Sequence, residues 1–262
     1  MTQTNQAPYG NHAQVNGINL YYETHGSGRP LVLLHGGGST INTSFARVIP
    51  LLAKTHQVIA LELQAHGRSE DRDTPVSFKQ DAADVAALLK ELEISKANIF
   101  GFSNGGQTAM EIGIYYPEIV EKLIVASAFY RRDGVPEGFW KGFDDPQFSD
   151  LPEVYKVEYR RLTDETTLLN MFKKDAARMK NFQDWPDEQI SSIQAPTLVV
   201  SGDRDLPLPE HVLALSRLLP QGRLMILPGS HGEYFGEAFY AQKNSKITEA
   251  FVQLVNDFLE ND

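Results

Sequence analysis

Six short, nearly continuous apolar runs recur along this chain, with helical patterns between them. They are "LVLLH" (Leu31 to His35), "QVIALEL" (Gln57 to Leu63), "NIFGF" (Asn98 to Phe102), "LIVASAF" (Leu123 to Phe129), "TLVVSG" (Thr197 to Gly202) and "LMILPG" (Leu224 to Gly229). Strands apolar at every position are buried on both faces, which points to a parallel sheet covered by helices. The covering patterns are "SFKQDAADVAALLKELE" from Ser77, "PEHVLALSRLL" from Pro209 and "KITEAFVQLVNDFL" near the end. In the last, Ile247, Ala250, Phe251, Leu254, Val255 and Phe258 read as one apolar stripe. Strand and helix alternate, so the expected fold is α/β, doubly wound, with a mostly parallel sheet. Early in the chain "NHAQVNGINLYYETHG", with its Asn16-Gly17 turn, predicts an antiparallel hairpin at one edge.

The alternation breaks between Tyr130 and Pro186. No strand-like run occurs there, but "EVYKVEYRRL" and "TTLLNMFKKDAARMKNF" have helical spacing. The expected organisation is a core of residues 1–129 and 187–262 and a helical cap or lid of residues 130–186. That cap should lie over the C-terminal ends of the strands, where ligands bind in open α/β sheets. Its aromatics, Phe139, Trp140, Phe143, Phe148, Tyr155, Tyr159, Phe172, Phe182 and Trp185, are expected to form mainly a small core of their own. Two or three of them should line a pocket and favour an apolar acyl or alcohol group.

At 262 residues the chain can build one sizeable core. Its formal net charge of −10 argues against nucleic acid and anionic membrane surfaces as partners, and leaves a small molecule as the expected one. The chain has no cysteine, which excludes disulfides, thiolate catalysis and zinc-thiolate sites. No apolar run is long enough to cross a bilayer. The polar start "MTQTNQAPYGNHAQ" lacks the pattern of a signal peptide, so a cytoplasmic location is expected; an exported protein with its signal removed would read the same. No H-E-x-x-H or clustered ligand spacing is present, so neither a metal nor a cofactor is expected.

Chemistry concentrates at strand ends. In "NIFGFSNGGQTAM" a lone Ser103 stands where a strand turns straight into a helix, with small residues two before and two after it. Such a turn is tight and strained, and it holds the hydroxyl up at the strand tip. A serine hydroxyl becomes a nucleophile only beside a base, and the base needs a third group to fix its tautomer. After "TLVVSG" come Asp203 and Asp205, and after "LMILPG" comes His231. Donors for an oxyanion are available in "LVLLHGGGST", where glycine-rich backbone follows a strand.

These motifs resemble the α/β-hydrolase superfamily, in its branch of single-domain, lid-bearing serine hydrolases, across essentially the whole chain. The resemblance implies that Ser103 in "GFSNG" is the nucleophile, Asp205 in "GDRD" the triad acid in preference to Asp203, and His231 in "PGSHGE" the base. It implies an oxyanion hole from the backbone N–H groups of Gly37 and Asn104, and a structural role for His66 in "LELQAHGRS". His35 is expected to satisfy backbone groups in the oxyanion loop. His12, His25, His56 and His211 are expected at the surface or in turns.

The chain departs from the family pattern in places. Ser103 stands where haloalkane dehalogenases and epoxide hydrolases of this fold carry Asp. The proline often found shortly after His-Gly is missing from "HGGGST", and Ser230 precedes His231 where glycine is usual. Glu233 either bonds to that loop or shapes the pocket. The implied activity is hydrolysis of an ester-like bond in a small apolar substrate. The alternatives are a lactone, the carbon–carbon bond of a dienoic diketone, or a ligand receptor on the same fold.

Overall fold

Each of the six apolar runs contributes a strand to one eight-stranded sheet. The structure is a computed structural model that describes residues 10–242 and 245–261. The polar stretch Met1 to Tyr9, part of the start read above as no signal peptide, lies outside them.

In chain order the larger elements are β1 (Gly10–Val15), β2 (Ile18–His25), β3 (Arg29–Leu34), α1 (Ile41–Phe45), α2 (Ile49–Leu52), β4 (His56–Leu61), α3 (Phe78–Glu91) and β5 (Ala97–Phe102). Then follow α4 (Asn104–Tyr115), β6 (Val120–Ala126), α5 (Glu137–Lys141), α6 (Glu153–Leu162), α7 (Glu165–Lys180), α8 (Asp187–Ser191), β7 (Thr197–Gly202), α9 (Pro209–Leu218), β8 (Gly222–Leu227) and α10 (Ile247–Glu260). The strand order is β1-β2-β4-β3-β5-β6-β7-β8. The β1–β2 and β2–β4 pairs are antiparallel and the rest are parallel. The hairpin forms where expected, because Asn16 and Gly17 both take positive φ, 46° and 86°, as a two-residue turn of matching twist requires.

Side chains alternate across the sheet with period two. Val32, Leu34, Ile99 and Val125 join one apolar core with α3, α4 and α9. Leu31, Leu33, Phe100 and Ile124 join the other with α1, α2 and α10. Burying a side chain of this size contributes about 1.5–3 kcal/mol, so continuous apolar strands between two helical layers dominate the stability. From β3 the chain passes to β4 on one side, and β5 then adds on the other. The ends of β3 and β5 therefore flank a reversal of winding, where a crevice opens in α/β sheets.

The end of β6 and the buried face of α10 differ from expectation. Strand β6 ends at Ala126, three residues early, because buried Ser127 takes φ 52° and turns the chain. On α10 the buried stripe is Thr248, Phe251, Val252, Val255, Phe258 and Leu259, with Ala250 and Leu254 exposed. Val252 and Leu259 follow Phe251 and Phe258 at the i+1 spacing that a wide helical face allows, which rotates the stripe.

Helices α5, α6 and α7 fall in the segment between residues 130 and 186. Its aromatics do not mainly form a core of their own. Phe182 and Trp185 join the main core, with Trp140 partly buried against it, because Phe78 at the start of α3 and Phe129 just past β6 meet them. A separate small cluster holds Tyr159, Leu168 and Met171, with Phe148 against it. His56 and His211 are also buried, contrary to expectation. His211 stacks on Tyr130 with ring centroids 4.7 Å apart and accepts that residue's N–H, and burial pushes its imidazole down to about 4. Among the described residues no helix is long and apolar enough to cross a membrane.

Candidate active site

Ser103 is the hinge between β5 and α4. Its φ of 52° and ψ of −121° lie outside the regions favoured by a residue with Cβ. Its N–H donates to Ala126 O at 2.9 Å, and its carbonyl accepts from Gly106 and Gln107. The turn closes only because its neighbours are small: a Cβ on Gly101 would lie 2.0 Å from Gly105 O, and one on Gly105 would lie 2.1 Å from Leu34 O. The spacing of glycines around Ser103 thus has a steric cause.

The structure brings Ser103, His231 and Asp205 together from three strand ends. His231 Nε2 is 3.0 Å from Ser103 Oγ, and His231 Nδ1 is 2.7 Å from Asp205 Oδ1. A carboxylate only accepts, so Nδ1 carries the proton and Nε2 is free to accept from the serine hydroxyl. Asp205 also accepts from the N–H groups of Leu206 and Gly202, at 2.7 and 2.9 Å, and from the hydroxyl of Ser127 at 2.5 Å. Burial alone would raise the Asp205 carboxyl, but His231 beside it and these donors hold it below the usual carboxylate range. Asp203 is exposed and accepts the N–H of Gly229 at 2.8 Å, which leaves it a turn residue.

Ser230 and Glu233 settle the loop around His231. The N–H and hydroxyl of Ser230 both donate to Glu233 Oε2 at 2.9 Å, so Glu233 bonds to the loop. Phe102 tilts against the His231 ring at 4.8 Å. Behind it Glu237 is fully buried and accepts from Tyr155 Oη of α6 at 2.7 Å, and burial raises its carboxyl.

Gly37 and Asn104 line the same cavity as Ser103 and His231. The cavity measures about 580 Å³. Phe139, Phe143, Tyr155 and Phe172 of the 130–186 segment line it, together with Phe129, Met179 and Leu206. Among the described residues lining it there is no Lys or Arg. Among the described residues no group of three or more His, Cys, Asp or Glu is placed to hold a metal ion.

Two histidines stand beneath the glycine loop. His35 is completely buried; its Nδ1 donates to Gly36 O at 2.8 Å and its Nε2 accepts from Leu63 N–H at 3.0 Å. It is neutral, and burial pushes it down to about 3. His66 faces two acceptors, Gln64 O from Nδ1 and Asp175 Oδ2 from Nε2, each at 2.9 Å, so both its nitrogens carry protons. Both residues hold backbone, as expected, but His66 does so as a cation. Asp175 and Ser127 were not singled out in the sequence. Asp175 lies on the buried side of α7 with Leu168, Met171 and Arg178, and a charged pair at i, i+3 on an apolar stripe was the available signal. Ser127 lies inside an apolar run with nothing to distinguish it from a strand residue.

The family model described as alpha/beta hydrolase fold matches residues 29–158. The eight-stranded sheet places the tight Ser103 turn after β5 and the helices on both faces, as such a fold requires. The chain belongs to the α/β-hydrolase superfamily. Among its relatives, serine hydrolase BPHL of Homo sapiens is 28% identical over 257 residues, covering 91% of this chain and 84% of that one. The 2-hydroxy-6-oxo-2,4-heptadienoate hydrolase of Pseudomonas putida is 26% identical and covers 99% of both chains. Of solved structures, the enol-lactonase of Burkholderia xenovorans LB400 superposes with a TM-score of 0.75 at 21% identity, covering 95% of this chain and all of the other. The protein is an α/β-hydrolase enzyme whose named relatives are hydrolases of several bond types.

Proposed function

We propose that this α/β-hydrolase cleaves an ester-like bond of a small, largely apolar, uncharged substrate through Ser103, His231 and Asp205. The observation that carries this reading is the hydrogen-bonded chain from Ser103 Oγ through His231 to Asp205, open to an apolar cavity. Residues 130–186 act as the cap that completes that cavity.

As Ser103 Oγ bonds to the substrate carbonyl carbon, its proton passes to His231 Nε2. The carbonyl oxygen takes the electron pair and is met by the N–H groups of Gly37 and Asn104, the second lying at the N-terminus of α4. Asp205 holds the imidazole and balances its positive charge. The intermediate expels the alcohol, which takes the proton from Nε2, and an acyl-enzyme remains. Water then gives a proton to Nε2 and attacks the acyl carbon, the acid leaves, and Ser103 recovers its proton.

Lactones are the second reading, since an internal ester passes through the same steps. A dienoate carries a carboxylate, and among the described residues lining the cavity there is no Lys or Arg to pair with it. That lack ranks esters and lactones above carbon–carbon substrates.

The test is hydrolysis of p-nitrophenyl esters from acetate to octanoate by the wild type and Ser103→Ala. The expected result is turnover that depends on Ser103 and has a chain-length optimum. Equal rates in the two proteins would sink the reading.

A further inference from the structure

The loop "HGGGST" has three consecutive glycines and no proline, so the chain itself does little to fix the peptide planes beside the oxyanion. The fixing group comes from elsewhere. Gly38, at φ 66°, donates its N–H to Asp175 Oδ2 of α7 at 2.6 Å, across 137 residues of sequence. A Cβ placed on Gly37 would lie 2.4 Å from Asn104 Nδ2 and 3.2 Å from Asp175 Oδ2. The Gly37 Cα is therefore held between the carboxamide that follows the nucleophile and the carboxylate from α7.

A buried carboxylate beside a developing oxyanion would oppose catalysis unless its charge were cancelled. Here it is cancelled twice. The doubly protonated His66 donates to Asp175 Oδ2 at 2.9 Å, and Arg178 pairs with Oδ1 while reaching Asp81 of α3 at 2.7 Å. With two cations against it, Asp175 keeps its geometric effect and loses most of its electrostatic one.

We propose that Asp175 is a positioning residue that holds the Gly37–Gly38 peptide, so that the oxyanion hole is assembled only when α7 is seated on the sheet edge. This rests on the serine-hydrolase reading above. It makes the 130–186 segment part of the reaction machinery as well as a wall of the pocket.

The test compares the wild type with Asp175→Ala and Asp175→Asn on a p-nitrophenyl ester, with rates normalised by active-site titration. Affinity for an alkyl trifluoromethyl ketone, which forms a serine-bound oxyanion, is measured alongside. Asp175→Ala should lose about 10²-fold in kcat with KM within about twofold, the size seen when one oxyanion donor is lost. Ketone affinity should fall by a similar factor. Asp175→Asn, which keeps an acceptor for Gly38 N–H, should recover at least about tenfold of that loss. Should the alanine variant fail to fold, Asp175→Glu keeps the charge and displaces the acceptor, and it should show the same loss in kcat. Unchanged kcat per titrated site in the folded variants, or losses in KM alone, overturns the proposal while the serine-hydrolase reading stands. A wild type that neither turns over esters nor binds the ketone overturns both.

Discussion

Ser127 donates its hydroxyl to Asp205 Oδ2, the oxygen of that carboxylate which His231 leaves free. Because the Ser127 hydrogen goes to Asp205, the Tyr234 hydroxyl 2.8 Å away must donate to Ser127. Asp205 is thus oriented by a relay from the buried interior. A hydrogen bond to a charged group contributes about 1.5–3 kcal/mol, and some of that orients His231, so Ser127→Ala should lower kcat about tenfold with KM little changed. Asp205→Asn should lower kcat about 10⁴-fold by imposing the wrong imidazole tautomer. Asp203→Asn, at an exposed turn, should change it about twofold or less. Steady-state kinetics of the three variants checks this, and a larger loss at Asp203 than at Asp205 would reverse their roles.

What the sequence made legible was local. Ser103 and its glycines, the order of acid and histidine, and the buried strands all write their cause within a few residues. The strand end at Ser127 was hidden because the cause is a positive φ that no residue type there announces. Asp175 was hidden for a different reason. Its partners Gly38 and His66 lie 137 and 109 residues away, and pairing over that distance is decided by how α7 docks. The ionisation of His66 likewise follows from two acceptors meeting it in space.

Backbone strain at Ser103 gives a stability prediction that does not depend on the substrate. A residue with Cβ at φ 52° and ψ −121° carries about 1–3 kcal/mol of strain that glycine lacks, against about 0.5–1 kcal/mol of extra chain entropy that glycine loses on folding. Ser103→Gly and Ser103→Ala should be equally inactive. The glycine variant should nevertheless melt about 2–4 °C above the alanine variant, the shift expected for about 1 kcal/mol in a chain of this size. An alanine variant at least as stable as the glycine one would mean that the turn at Ser103 stores no strain.

The His66–Asp175 pair makes stability depend on pH with a definite sign. Burial alone would lower His66, but the charge and hydrogen bond of Asp175 outweigh it and raise the imidazole above its ordinary value. Burial would likewise raise Asp175, yet Arg178 and His66 hold it well below the usual carboxylate range. The native protein therefore keeps the His66 proton to higher pH than the unfolded chain does. The contribution of His66 is complete below the ordinary histidine value of about 6.5 and is lost as pH rises through the raised native one. Breaking a buried pair of this kind costs about 3–5 kcal/mol, so His66→Gln should melt well below the wild type near pH 6. The gap between the two melting temperatures should narrow steadily toward pH 9. Thermal unfolding of both proteins across that range reads it directly, and a gap that stays constant or widens would show that His66 is not charged in the native state.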